Sequence, residues 1–170
     1  MRVLVQRSGK ASVVVSDKIV GSIDSGLVLL VGFTEGDTKE KIEYLAKKVV
    51  NLRIFPDEND KMNRSILDIH GEMLIVSQFT LCGDCKKGTR PSFDKSAAPD
   101  IANKLYEDFV KEIQNYGIKT ETGVLEYEKD FCSLIFISNH AGLGRRYCNS
   151  SSSKTEQPAR KANRKFNTIF

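Results

Sequence analysis

Hydroxyl, amide, thiol and guanidinium groups crowd one stretch of the chain, SQFTLCGDCKKGTRPSF, from Ser77 to Phe93. The preceding EMLIV reads as a buried strand that delivers Ser77, Gln78, Phe79, Thr80 and Leu81 to its end, where backbone N–H groups leave the ladder and become free donors. Along a strand Ser77 and Phe79 point one way, Gln78 and Thr80 the other. The latter pair could present an amide and a hydroxyl to an ester while nearby N–H groups stabilise its oxyanion. The same residues also fit an ordinary strand end whose polar side chains are hydrogen-bonded. GTRPSF then adds Arg90, Pro91 and Phe93, a charge, a stiffened turn and a ring able to hold a nucleotide by pairing and stacking. Phe93 fits equally well as a core residue.

Cys82-x-x-Cys85 is spaced for zinc or redox chemistry, but Gly88 and Pro91 follow it in place of a helix that would lower a thiol pKa. Further zinc ligands would have to come from Cys132, His140 or Cys148, which are distant and lack that spacing. Unreactive thiols and no metal are the expectation, with a zinc-stabilised binding module as the weakest of three functional readings. His70 and His140 are the only histidines, so a serine or cysteine nucleophile has no evident base. No phosphate-loop, dinucleotide or H-E-x-x-H motif is present, so an enzyme here is expected to work without a dinucleotide or any other bound cofactor.

The elements that must position these groups read as short strands and two helices. Residues 1–33 are rich in Val, Ile and Leu, with breaks at Ser8-Gly9, Ser16-Asp17 and Asp24-Ser25-Gly26. That pattern predicts an antiparallel meander, with the continuously apolar LVLLVGF as a central strand buried on both faces. Asp37 with Glu40 three residues on predicts a capped helix over about 38–53, burying Ile42, Leu45, Ala46, Val49 and Val50. A second helix is predicted over about 99–116, opened by Pro99, closed by Gly117 and carrying Ile101, Leu105, Phe109 and Ile113 on one side. GIKTETGV and FCSLIFIS read as two more strands.

With 170 residues, 40% hydrophobic and 28% charged, the chain reads as one compact α/β (α+β) domain. Its length suffices to bury roughly two-thirds of the unfolded surface. The domain is expected over 1–138, with a mainly antiparallel, barrel-like sheet core and the two helices, followed by a flexible basic tail over 139–170. From Gly144 to Phe170 seven basic residues face one acid, a charge of +6, which leaves 19 basic and 21 acidic residues, or −2, on the rest. Such a distribution argues against broad duplex binding and for a local grip on any nucleic acid. No apolar run reaches the length of a membrane span and the N-terminus lacks a signal-peptide core, so a cytoplasmic address is expected.

MRVLVQRSGKASVVV, VGSIDSGLVLLVGF, NLRIFPDENDKMNRSILD, MLIVSQFTL and KKGTRPSFDKSAAP occur in this order over residues 1–124, and the chain strongly resembles the D-aminoacyl-tRNA deacylases. The resemblance implies a cytosolic homodimer that hydrolyses the ester joining a D-amino acid, or glycine, to the 3′-terminal ribose of tRNA. It implies a catalytic pocket at Ser77, Gln78, Phe79, Thr80 and Leu81, working through backbone N–H groups and the tRNA's own 2′-hydroxyl. Arg90, Pro91 and Phe93 would then seat the terminal adenosine. After Thr122-Gly123-Val124 the pattern departs. The family continues FGA-x-M and N-D-G-P-V-T, with a Gly-cisPro pair that enters the partner's pocket and excludes L-amino acids. This chain reads LEYEKDFCSLIFISNHAGLGRR instead, with Ile137-Ser138 near that place and NHAG, Asn139 to Gly142, as a faint echo. A non-proline cis bond costs about 3 kcal/mol more than one at proline, so no other dipeptide substitutes cheaply. The alternative reading is a catalytically impaired or non-selective relative that binds the tRNA acceptor end.

Overall fold

The computed structural model describes residues 1–15, 17–86 and 88–123 in full, and the backbone of three further strands at 134–138, 144–148 and 167–169. Strands β1 (Arg2–Ser8), β2 (Ala11–Val15), β3 (Lys18–Ile23) and β4 (Gly26–Gly32) precede helix α1 (Lys39–Val50). A short hairpin, β5 (Phe55–Pro56) and β6 (Met62–Arg64), leads to β7 (Glu72–Ser77), a 3-10 turn (Phe79–Cys82) and helix α2 (Pro99–Asn115). Strands β8 (Thr120–Thr122), β9 (Leu134–Ser138), β10 (Gly144–Cys148) and β11 (Asn167–Ile169) follow.

The meander is corrected. β1 pairs antiparallel with β4 from Arg2–Gly32 to Ser8–Gly26, while β2 pairs with β3 and β9. One sheet runs β11-β1-β4-β7-β8 and the other β10-β9-β2-β3. Burial explains the choice: β4 is apolar on both faces and needs a layer on each, as its predicted central position requires. Leu27, Leu29 and Val31, with Met73 and Ile75 of β7, pack toward Ile42, Ala46, Val49 and Val50 of α1 and Phe109 and Ile113 of α2. On the opposite face Val28, Leu74 and Val76 meet Ala11, Val13, Val15 and Ile23 of the second sheet. Most strand pairs are antiparallel, but β4–β7 and β7–β8 are parallel. Each parallel step needs a long crossover, which α1 and α2 supply.

Two details of the helices also differ from expectation. Asp37 does not cap α1, whose N-cap is Thr38; its carboxylate is turned toward Met1 and Thr34 instead. In α2 the buried face is Ala102, Tyr106, Phe109, Val110 and Ile113, with Ile101 57% exposed. A strict four-residue row rotates around the helix, so Ile101 stands about 120° from Ile113. Tyr106 takes the inward place because its hydroxyl donates to the Ile75 carbonyl (2.7 Å), and burial pushes the phenol pKa up, keeping the donor protonated. Tyr106→Phe is expected to cost about 1 kcal/mol, read as a melting temperature lower by about 2–4 °C. Gly117, with φ +75°, ends the helix as the sequence predicts.

Within the segment expected to be a tail, β10 pairs with β9 and β11 pairs with Leu4 to Gln6 of β1. The remainder of that segment lies outside the described residues, as does Val124 to Ser133. Among the described residues no helix is long and apolar enough to cross a membrane.

Candidate active site

β7 ends at Ser77, and its ladder closes with the Gln78 N–H donating to the Val31 carbonyl (2.7 Å). The strand periodicity stops there. Phe79–Cys82 form the 3-10 turn, closed by the Leu81 N–H on Gln78 O (3.3 Å) and the Gly83 N–H on Thr80 O (3.1 Å). A helical turn leaves its first N–H groups without intrahelical acceptors. Here these belong to Phe79 and Thr80, and neither donates to another backbone carbonyl among the described residues.

The side chains sort accordingly. Ser77 is half-buried and Gln78 buried, and the Gln78 amide donates to the Thr80 hydroxyl, so this pair does share a side. Phe79 and Thr80, expected on opposite sides, are both exposed because they follow a helical turn. Phe93, 38% exposed, sets its ring edge-on to that of Phe79, which is 48% exposed, with centroids 5.5 Å apart. The two quoted motifs, SQFTL and RPSF, therefore meet through these rings. Arg90 and Pro91 lie exposed on the loop between them. That loop is rooted by a two-way backbone bridge between Asp84 and Ser92 (2.8 and 2.9 Å). Leu81 is half-buried under the turn. Among the described residues neither a histidine nor a carboxylate is hydrogen-bonded to the hydroxyl of Ser77 or Thr80.

Three supports of the turn escaped the sequence reading. A Cβ on Gly32, the last residue of β4, would stand 2.8 Å from Gln78 O and 3.0 Å from Cys82 Sγ, so only glycine lets the turn lie this close. The Arg2 guanidinium donates to the Leu81 carbonyl at the far end of the turn (2.6 Å). The Met1 ammonium is buried against the Asp37 carboxylate (2.5 Å) and donates to the Thr34 hydroxyl (2.8 Å), which fixes the chain next to Arg2. Burial alone would push the Asp37 carboxyl up, but hydrogen bonds from Met1 and Thr34 and the ammonium charge hold it below its ordinary value. Arg2 and Leu81 are 79 residues apart, a distance at which no local pattern signals contact.

Cys82 is buried and its thiol donates to the Phe33 carbonyl (3.3 Å); burial pushes its pKa up, the opposite of a reactive thiolate. Cys85 is exposed and both thiols are free. Among the described residues no cluster of three or more His, Cys, Asp or Glu forms a metal site; the side chains of Cys132, His140 and Cys148 lie outside them.

At the carboxyl ends of the parallel strands β4 and β7 an exposed surface thus brings together backbone donors, a hydroxyl and two aromatic rings, an arrangement that can act on an ester by positioning it. Residues 4–131 match the family described as D-Tyr-tRNA(Tyr) deacylase, and the chain belongs to that family. It is 60% identical over 123 residues to the D-aminoacyl-tRNA deacylase of Thermosipho africanus (strain TCF52B), covering 72% of this chain and 83% of that one. The D-aminoacyl-tRNA deacylase of Desulfatibacillum aliphaticivorans is 57% identical over the same length, covering 72% and 84%. Among solved structures, the c-Myc DNA unwinding element binding protein superposes with a TM-score of 0.73 at 28% identity, covering 94% of this chain and all of that one. Ile137 and Ser138, near which the resemblance would put a Gly-cisPro pair, lie in β9, where Ile137 pairs with Ala11 and Arg145.

Proposed function

We propose that this chain hydrolyses the ester between a D-amino acid, or glycine, and the 3′-terminal ribose of tRNA, removing misacylated tRNA before translation. The observation that carries the mechanism is the pair of Phe79 and Thr80 N–H groups, unpartnered among the described residues, at the exposed start of the 3-10 turn. Water adds to the ester carbonyl, and charge develops on its oxygen between these donors. The C–O bond to the ribose then breaks, and the ribose leaves as a free hydroxyl with a proton from the water. One preorganised donor of this kind is worth about 3–4 kcal/mol of barrier. The neighbouring 2′-hydroxyl of the tRNA is the group available to relay the proton. Phe79 and Phe93 offer ring faces to the terminal adenine, and Arg90 offers its charge to the RNA. The reading includes a homodimer in the cytoplasm, supported by the resemblance of residues 1–124. No observation favours the binding-only alternative.

Purified protein given tRNA charged with D-tyrosine, L-tyrosine or glycine is expected to release the D and glycyl esters selectively. Loss of all three would mean chemistry without chirality, and loss of none would sink the reading. Thr80→Ala is expected to lower the rate by about tenfold or less, because the hydroxyl already accepts from Gln78 and the backbone N–H groups remain. Complete inactivation with the fold intact would overturn a mechanism carried by the backbone groups.

A further inference from the structure

Of the five arginines whose side chains are described, four are occupied. Arg2 donates to Leu81 O (2.6 Å), Arg7 to Ile54 O (2.8 Å), Arg53 to Asn63 O (2.7 Å) and Arg64 to Asp68 O (2.8 Å). Arg90 alone has no acceptor among the described residues, and it is exposed. It shares the loop beyond the Asp84–Ser92 bridge with Lys86, whose backbone N–H binds Asp84 (2.9 Å) while its ammonium makes no hydrogen bond among the described residues. The loop turns at Gly88, where φ is +75°. From Asp84 to Lys95 the sequence carries four cations and two acids, a net +2 on a body whose first 143 residues sum to −2. Both acids are engaged: Asp94 accepts from Ser92 (2.7 Å), and Asp84 from the Lys86 N–H and, as an ion pair, Lys95 (3.8 Å). The Asp84 carboxyl is held below its ordinary value by the Lys86 N–H first and then by the charges of Lys86, Lys95 and Arg2. One carboxylate thus stands in the field of three cations.

We infer that this loop is a phosphate grip: the Lys86 ammonium and the Arg90 guanidinium hold the backbone of the single-stranded 3′ end of tRNA, just before the terminal nucleotide. The inference rests on the tRNA reading above and assigns Lys86 a role and Arg90 a phosphate rather than a base. Phosphate contacts fix register without reading sequence. Placement supports the role, since Phe93 follows the loop's root directly and lies against Phe79. Four residues from root to tip span at most about 13 Å, a reach that covers the nucleotides preceding the terminal one. A guanidinium suits phosphate by its two-pronged geometry, and an ammonium by its charge.

The test uses the full chain and uncharged RNA, both tRNA and a short single strand ending in CCA, with affinity measured as a function of salt. Each lost contact to a single strand removes about 0.7 from the slope of log affinity against log salt. The double variant Lys86→Gln/Arg90→Gln is expected to lower the slope by about 1.4 on both RNAs and to weaken binding about tenfold at moderate salt. Lys86→Arg/Arg90→Lys retains the slope, and Lys47→Gln/Lys104→Gln, on the two helices, leaves it unchanged. An unaltered slope in the first variant, or an equal drop in the helix variant, overturns the grip. So does a clear drop in melting temperature of the Gln variant, which would show that the two cations are structural. If the wild type released no ester from charged tRNA, the hydrolysis reading would fall while these slopes still decided the grip.

Discussion

Gly32→Ala is expected to lower kcat for D-aminoacyl ester hydrolysis about a hundredfold while leaving the protein folded. The added methyl would sit 2.8 Å from the Gln78 carbonyl oxygen and 3.2 Å from Leu81 Cβ. The first of these is backbone and cannot swing aside, so the 3-10 turn must lift off β4. Its lift moves the Phe79 and Thr80 N–H groups away from the developing oxyanion, and donors of this kind lose their effect when displaced by an ångström. Gly36→Ala is the contrasting variant. Its φ of +78° strains any side chain, yet nothing lies within 4 Å of the new Cβ. It is expected to lose about 1 kcal/mol of stability with kcat retained. Single-turnover hydrolysis and thermal melting of the two variants separate the effects, and a Gly32→Ala enzyme with unchanged kcat would remove the turn from the mechanism.

Asp37→Ala is expected to destabilise the protein by about 3–5 kcal/mol, because it leaves the buried Met1 ammonium without its counter-charge. In a domain of this size that lowers the melting temperature by about 6–20 °C. The loss is pH-dependent with a definite sign. The folded Asp37 carboxyl is held below its ordinary value, so its contribution is present above that ordinary value and fades as pH falls through the lower, folded one. Wild type and variant should therefore converge in stability in acid and separate by neutral pH. A constant gap across that range would mean that Asp37 acts by packing alone. Arg2 follows Met1 in the chain and holds Leu81 O, so the same variant is expected to raise mobility in the candidate site.

Where burial is decided by a residue's own neighbours, the sequence was a sound guide. The five apolar residues of α1 are those buried, the all-apolar β4 is central, and Gly117 stops α2. Where the outcome depends on a distant partner, it was not. Nothing local indicates that β1 prefers β4 to β2, since both pairings bury Val3 and Val5. Nothing in Asp37's surroundings distinguishes a helix cap from the counter-ion of a residue 36 positions away. In α2, Tyr106 displaced Ile101 from the buried face because Ile75 O could satisfy its hydroxyl, a compensation visible only once β7 is in place. The candidate site divides likewise. Its residues were legible as a motif, but the 3-10 turn that turns Phe79 and Thr80 outward together depends on the close approach allowed by Gly32.

The pairing of β11 with β1 has a bearing on synthesis. β1 is among the first residues made, and β4 can cover one of its edges as soon as residues 26–32 emerge. Its other edge is met at Leu4 to Gln6 by residues 167–169, which leave the ribosome some 160 residues later. During that interval the nascent chain carries an open strand edge, the feature through which polypeptides recruit one another into misassembled sheets. Arg2 and Arg7 flank this edge, and such charges at an open edge are a deterrent to premature pairing.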